Sequence, residues 1–209
     1  MKVLIADDHN VVREGLKHII ETKYRPVTFG DAHDGTEALN LVFARDWDLL
    51  LLDIQMPGRD GLEVLREAKK TRPKLPVLIV SGSSQDEYAV RALRDGASGY
   101  LEKNASEQEF LLAVEEALAG RCYVTPAVAQ KLARAVSAPA GNTPQELLSD
   151  REYQVMKMIA GGRTVKEIAA ELSLSVKTVS TYRTRILEKL GLDSNVEIAR
   201  FALKAGLVG

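Results

Sequence analysis

Four consecutive leucines, Leu49 to Leu52, end on Asp53 and then on QMPGRDG. An unbroken apolar run of this kind fits a strand buried on both faces, and strands of that sort belong to parallel sheets covered by helices. Asp53 at the end of the run must be paired or placed for chemistry, because an unpaired buried charge costs several kcal/mol.

The rest of residues 1 to 120 agrees with such a sheet. Short runs rich in branched residues, VLIA (3 to 6), LLLL (49 to 52), LPVLIVSG (75 to 82) and SGYLEK (98 to 103), predict strands, and a less regular one falls near Val27 to Ala32. Between them VVREGLKHII, GTEALNLVFA, LEVLREAKK, YAVRALRDG and EQEFLLAVEEAL carry apolar residues at helical spacing. Asp34 with Glu37 and Ser106 with Glu109 have capping-box spacing, and Gly96 can close the helix before the last strand. Alternation of this kind implies a five-stranded, doubly wound parallel sheet, an α/β fold in which function gathers beyond the carboxyl ends of the strands. There stand Asp7 and Asp8 after the first strand, with Asp53 ending the third, Ser81 ending the fourth and Lys103 ending the fifth.

Composition narrows the setting. The 209 residues are 45% hydrophobic and 27% charged, ordinary for globular protein. Cys122 is the single cysteine, and His9, His18 and His33 lack the spacing of a histidine metal cluster, which points to a reducing compartment. MKVLIADDHN meets two acids after a few apolar residues, unlike a signal peptide, so a cytoplasmic protein without membrane contact is expected. The net charge of −1 hides an asymmetry: 18 Lys+Arg face 22 Asp+Glu through residue 148, and 10 face 7 from residue 149. A local positive excess suits nucleic acid, though solvated helices carry similar numbers.

The constellation over residues 1 to 120 resembles the receiver domain of bacterial two-component response regulators. By that resemblance Asp53 is the phosphoacceptor, and Mg²⁺ is held by Asp8, Asp53 and the backbone carbonyl of Gln55, with Asp7 helping through water. Lys103 is the positive clamp, Ser81 the hydroxyl on a phosphoryl oxygen, and Tyr100 the aromatic that swings inward when that hydroxyl moves. Pro57-Gly58 adds a turn that presents the Asp53 loop. Receivers often follow the lysine with a cis proline; here Asn104 follows, and a cis bond before a non-proline residue costs roughly 2.5 to 4 kcal/mol. Read singly, each acid could equally form a turn or cap a helix.

After Gly120 the pattern loosens. TPAVAQKLARAV (125 to 136) predicts a short helix with Thr125 as cap, and SAPAGNTP (137 to 144) a linker, giving a division into 1–121, a linker with a short helix over 122–146, and 147–209. In the last part Ser149 to Glu152 and Thr164 to Glu167 have capping-box spacing, Gly161-Gly162 stops the first helix, and the short turn SLS leads to a longer helix from Val176 to Leu190. This predicts a small all-α domain with a helix-turn-helix, a shape that an ordinary helical hairpin shares. On the long helix Val179, Tyr182, Ile186 and Leu190 form an apolar stripe with Arg183 and Leu187 at its margin. Lys177, Ser180, Thr181, Thr184, Arg185 and Glu188 face the other way. Such a polar face suits a major groove or plain solvent.

LLSDREYQVMKMIAGGRTVKEIAAELSLSVKTVSTYRTRILEKLGL is similar to the LuxR-type DNA-binding domain of the NarL/FixJ regulators, through Arg151-Glu152, Glu167 to Ala169, Thr178-Val179 and Lys189 to Gly191. Many members carry lysine and histidine where Ser180 and Tyr182 stand. The resemblance assigns DNA contacts to Lys177, Ser180, Thr181, Arg183, Thr184 and Arg185 and dimer contact to the last helix, about Asn195 to Ala205, whose Ile198, Ala199, Ala202 and Leu203 could also simply cover the core. Together the two halves imply a phosphorylation-controlled transcriptional regulator. By the same resemblance a sensor histidine kinase would phosphorylate it, phosphorylation would alter interdomain docking, and homodimers would bind promoter DNA; its only reactions would be self-phosphorylation and self-dephosphorylation. One rival is a constitutive DNA-binding regulator whose receiver is only a dimerisation platform. A second is a phosphatase or phosphotransferase, weakened because Gln55 stands where the usual second acid would be. A flavin carrier is a third, disfavoured by acids that would repel its phosphate.

Overall fold

A computed structural model describes residues 1–57, 59–82, 86–137, 147–172 and 174–207. Gly58 of the Pro57-Gly58 turn, Ser173 of the SLS turn and the linker stretch after Ser137 lie outside the described residues. The chain divides into two compact units, Met1–Pro139 and Ala140–Gly209.

In the first unit strands β1 (Lys2–Ala6), β2 (Thr28–Ala32), β3 (Leu49–Leu52), β4 (Val77–Ser81) and β5 (Gly99–Glu102) form one sheet in the order β2-β1-β3-β4-β5. Every pairing is parallel. Helices α1 (Asn10–Lys23), α2 (Gly35–Ala44), α3 (Gly61–Thr71), α4 (Asp86–Arg94) and α5 (Glu107–Leu118) make the crossovers. The four leucines of β3 are each at most 1% exposed, as a central strand covered on both faces requires. Alternation along the strands splits the core. Val3, Ile5, Leu49, Leu51, Leu78, Val80 and Leu101 meet Leu16 and Ile20 of α1 and Phe110, Ala113, Val114 and Ala117 of α5. The intervening residues face the side that α2, α3 and α4 cover.

The caps follow the predicted spacing with two variations. Asp34 accepts from the backbone N–H groups of Thr36 and Glu37, but the Glu37 carboxylate reaches the N–H of His33 rather than that of the cap itself. Ser106 accepts from Glu109 N–H, and the Glu109 carboxylate is drawn to the Tyr123 hydroxyl at 3.0 Å. Gly96, at φ +93°, closes α4.

Helix α6 (Pro126–Ser137) begins at the expected cap, where Thr125 Oγ1 accepts from Val128 N–H. It packs against α4, and Val128 is buried. Just before it, Tyr123 N–H donates to the Ser98 carbonyl, so the chain runs briefly beside β5. Residues 126 to 137 thus fall within the first unit.

The second unit contains α7 (Asp150–Ala160), α8 (Val165–Glu171), α9 (Val176–Leu190) and α10 (Asn195–Lys204). Both expected capping boxes form, at Ser149 with Glu152 and at Thr164 with Glu167. Helix α7 packs against α8, α9 and α10, and Tyr153, Val155, Met156, Ile168, Val179, Ile186, Ile198 and Ala202 are fully buried. Ile198 and Ala202 of α10 thus cover the core, while Leu203 and Val196 on the same helix are exposed. The buried Glu152 carboxylate accepts from Lys189 Nζ at 2.6 Å and ties the start of α7 to the end of α9. Burial pushes that carboxyl up, but Lys189 and the Ser149 groups outweigh it and hold it below the ordinary glutamate value.

Gly30 and Gly61 permit close approaches. At Gly30 a β-carbon would stand 2.2 Å from the ring of Trp47, whose Nε1 donates to the Leu41 carbonyl at 2.9 Å. At Gly61 it would stand 2.1 Å from the Asp53 carbonyl oxygen and 2.7 Å from Ile54 Cα, backbone atoms that cannot swing away. Gly61→Ala should therefore lower the urea midpoint, a loss of about 1–3 kcal/mol. Gly15→Ala in α1, with nothing within 4 Å of the new carbon, should raise it by about 0.5–1 kcal/mol. Equal midpoints for the two variants would contradict this packing.

Candidate functional site

Strand order places the acids together. The sheet reverses direction of growth between β1 and β3, and a crevice opens beyond the carboxyl ends of these two strands. Asp53 N–H donates to the Ala6 carbonyl and Asp7 N–H to the Ala32 carbonyl, so both residues continue the ladder and both are only 2% exposed. Asp8 follows on the exposed side of the turn. Lys103 follows β5, and its ammonium lies 2.7 Å from Asp7 Oδ2 and 2.7 Å from Asp53 Oδ2. Its backbone N–H donates to the Ser81 carbonyl. Among the described residues the cis peptide bond is Arg25-Pro26, so the Lys103-Asn104 bond is trans, and the ammonium reaches both carboxylates without a cis bond.

The electrostatics follow from three carboxylates set against one ammonium. Burial pushes the Asp53 carboxyl above the ordinary aspartate value; Lys103 opposes this without cancelling it, and Asp7 adds to the rise. Burial would lower Lys103, yet Asp53 and Asp7 outweigh it and hold the ammonium above the usual lysine value. One ligand atom from each of Asp7, Asp8, His9 and Asp53 lies within 4.8 Å of the others. Hard oxygen donors with excess negative charge fit a divalent cation. Gln55, exposed two residues beyond Asp53, donates its backbone N–H to Asp53 Oδ1 at 3.1 Å.

Ser81 is fully buried at the end of β4, and Tyr100 on β5 is 3% exposed. Burial pushes the Tyr100 phenol up to about 12, while a hydrogen bond with the Ser81 side chain acts in the other direction. The hydroxyl and the aromatic expected to act together are thus in contact.

Two contributors were missed in the sequence. Arg13, 4% exposed on α1, donates to the Asp7 carbonyl at 2.7 Å and to Asn10 Oδ1 at 2.9 Å. Its Nε lies 3.4 Å from Asp31 Oδ1, and Asp31 is also paired with Lys17. A buried guanidinium therefore holds the backbone of the acidic turn from behind. Its signal was positional, since Arg13 occupies the buried stripe of α1 with Leu16 and Ile20. His9 joins the acids rather than the other histidines, with Nδ1 2.8 Å from Asp8 Oδ1.

In the second unit, Lys177, Ser180, Thr181, Thr184 and Arg185 form an exposed row along α9, while Val179 and Ile186 are buried beneath it. The hydroxyls of Ser180, Thr181 and Thr184 donate to the carbonyls of Val176, Lys177 and Ser180, which holds these short side chains close to the helix. Arg183 departs from the row: it is half-buried, and its Nε donates to Asn195 Oδ1 at 2.6 Å at the start of α10.

Residues 3–115 match the model of the response regulator receiver domain, and residues 146–202 that of bacterial regulatory proteins of the luxR family. The whole chain is 38% identical to the response regulator GacA of Pseudomonas syringae pv. syringae, covering 98% of that protein. It is 37% identical to the oxygen regulatory protein NreC of Staphylococcus aureus, covering 99% of it and again all of this chain. Among solved structures, RcsB from Salmonella enterica serovar Typhimurium, bound to a promoter in the presence of phosphomimetic BeF3−, is similar with a TM-score of 0.61 at 25% identity, over 99% of this chain and 98% of that one.

Because burial raises the folded-state value of Asp53, its ionised form costs stability above the unfolded-state value of 3.8, and the cost is complete once pH exceeds the folded value. Asp53→Asn should therefore raise the thermal midpoint at pH 7, with the gain shrinking as pH falls toward 3.8. A variant less stable than the parent at pH 7 would mean that the Lys103 pair outweighs burial.

Proposed function

The chain belongs to the two-component response regulators of the NarL/FixJ type, and from that premise we propose that it is a transcriptional regulator switched by phosphorylation of Asp53. The phosphoryl donor is a phosphohistidine of a sensor kinase. The observation that carries this reading is the Lys103 ammonium held between Asp7 and Asp53 at the strand ends, in a chain that also carries a helix-turn-helix.

In the proposed reaction an Asp53 carboxylate oxygen attacks phosphorus. The new P–O bond forms as the donor's P–N bond breaks, leaving an acyl phosphate and an imidazole whose ring nitrogen takes a proton from solvent. Burial supports this role, since a carboxylate stripped of water and charged at some cost gains from bonding to an electrophile. Lys103 keeps one oxygen of Asp53 and one of Asp7 in place and stands ready to pair with an oxygen of the incoming group. Asp7, Asp8, Asp53 and the backbone carbonyl of Gln55 are the residues that would hold Mg²⁺, with Asp7 acting through water. When bound, the metal supplies positive charge to the equatorial oxygens of the transferring group. Arg13 holds the Asp7 backbone throughout.

Transfer adds negative charge at the mouth of the sheet, where the Ser81 hydroxyl can bond the new oxygens. Doing so changes its bond with Tyr100, and the pair conveys the event away from Asp53. Interdomain docking and dimerisation change in consequence. Two copies double the phosphate contacts available to a unit whose own positive excess is small. On α9 the exposed Lys177, Ser180, Thr181, Thr184 and Arg185 would face the major groove, with Arg183 set back against α10. The chain performs no turnover beyond its own phosphorylation and dephosphorylation and works in the cytoplasm. No helix among the described residues is long and apolar enough to cross a membrane.

Incubation with acetyl phosphate and Mg²⁺ should produce a phosphoprotein shift on a phosphate-affinity gel that Asp53→Asn abolishes. Persistence of the shift in the variant would remove Asp53 from the reaction. Footprinting across promoter DNA should show protection that tightens on phosphorylation; identical protection in both states would favour the constitutive regulator.

A further inference from the structure

His9 introduces a nitrogen donor beside a site otherwise made of hard oxygens. It occupies the N-cap position of α1, and its carbonyl accepts from Val12 and Arg13 N–H groups, so its backbone is fixed. The side chain makes no capping hydrogen bond. Instead the ring turns back toward the acids, with Nδ1 2.8 Å from Asp8 Oδ1 and 3.2 Å from Asp7 Oδ1. Lys103 holds Asp7 by its other oxygen, Oδ2, at 2.7 Å, so that Oδ1 is the atom presented to His9.

These separations have a meaning for coordination. Bonds of about 2.1 Å in an octahedral shell put neighbouring donors about 3 Å apart. Nδ1 stands at that spacing from Asp8 Oδ1, a direct ligand in the reading above, and the ligand atoms of Asp8, His9 and Asp53 fall within 4.8 Å of one another, close to the span of one shell. His9 follows Asp7 and Asp8 directly at a tight strand-to-helix turn, so the ring needs no backbone change to join them. The same distances suit an Nδ1–H hydrogen bond to the acids, and the two roles differ in what they predict for metal choice.

Resting on the site reading given above, we propose that His9 Nδ1 is a direct ligand of the divalent cation at the Asp53 site and biases that site toward Mn²⁺ and Co²⁺ relative to Mg²⁺. Imidazole nitrogen binds first-row transition cations well, whereas Mg²⁺ favours oxygen ligands and keeps its waters. A nitrogen ligand therefore adds affinity selectively, while a merely hydrogen-bonding histidine orients the carboxylates for every cation alike.

The test is equilibrium binding of Mg²⁺, Mn²⁺ and Co²⁺ to the full chain and to His9→Ala and His9→Gln, by calorimetry and by the visible absorption of bound Co²⁺. Both variants should weaken Mn²⁺ and Co²⁺ binding about tenfold or more and Mg²⁺ binding much less, and the Co²⁺ spectrum should move toward that of an oxygen-only shell. Equal weakening for all three cations, or an unchanged spectrum, would overturn the ligand assignment while leaving the site reading intact. Absence of any cation binding by the unaltered chain would overturn both.

Discussion

The Lys103 ammonium, 2.7 Å from Asp7 and 2.7 Å from Asp53, couples parts of the sheet that the backbone does not bring into direct contact. Strands β1 and β3 are neighbours, but β4 separates β3 from β5. To reach the acids, the lysine stem crosses above Gly82, 3.8 Å from where a β-carbon there would stand. Without that cation two carboxylates, each 2% exposed, would face one another in a region of low dielectric, where leaving even one unpaired is costly. The surroundings are arranged around the same problem. Asp53 takes the Gln55 N–H, Asp7 takes that of His9, and Arg13 braces the carbonyl of Asp7.

Much of this was legible in the residues. The LLLL run predicted a central buried strand ending at Asp53, and β3 is Leu49–Leu52. The apolar periodicity and caps of GTEALNLVFA and EQEFLLAVEEAL set the bounds of α2 and α5, because Asp34 and Ser106 satisfy the first turns as their spacing implied. Strand order turned scattered acids into a site, and Lys103 could be placed because it follows a recognisable strand. The α9 stripe was readable for the same reason: Val179 and Ile186 are buried and the short polar residues are not.

What escaped notice depended on tertiary contact. Arg13 reads as a solvated helix charge unless the stripe it shares with Leu16 and Ile20 is given more weight than its polarity. His9 looked isolated because its partners are its immediate neighbours, and only the ring's turn toward them creates the contact. TPAVAQKLARAV carried a clear helix start but no sign of which surface it would meet, and that surface is α4. The reciprocal halves of two capping boxes went elsewhere for a similar reason, since Glu37 and Glu109 found other donors nearby.

The indole of Trp47, lodged over Gly30 and anchored on the Leu41 carbonyl, is the chain's one tryptophan. Its emission consequently reports on Met1–Pro139, the unit that holds it, whereas far-ultraviolet dichroism sums the helices of both. Following the two signals through one denaturant titration separates the cooperativity of each unit with no label added: superimposable curves would mean that the pair melts as one, and displaced curves that each stands on its own interior.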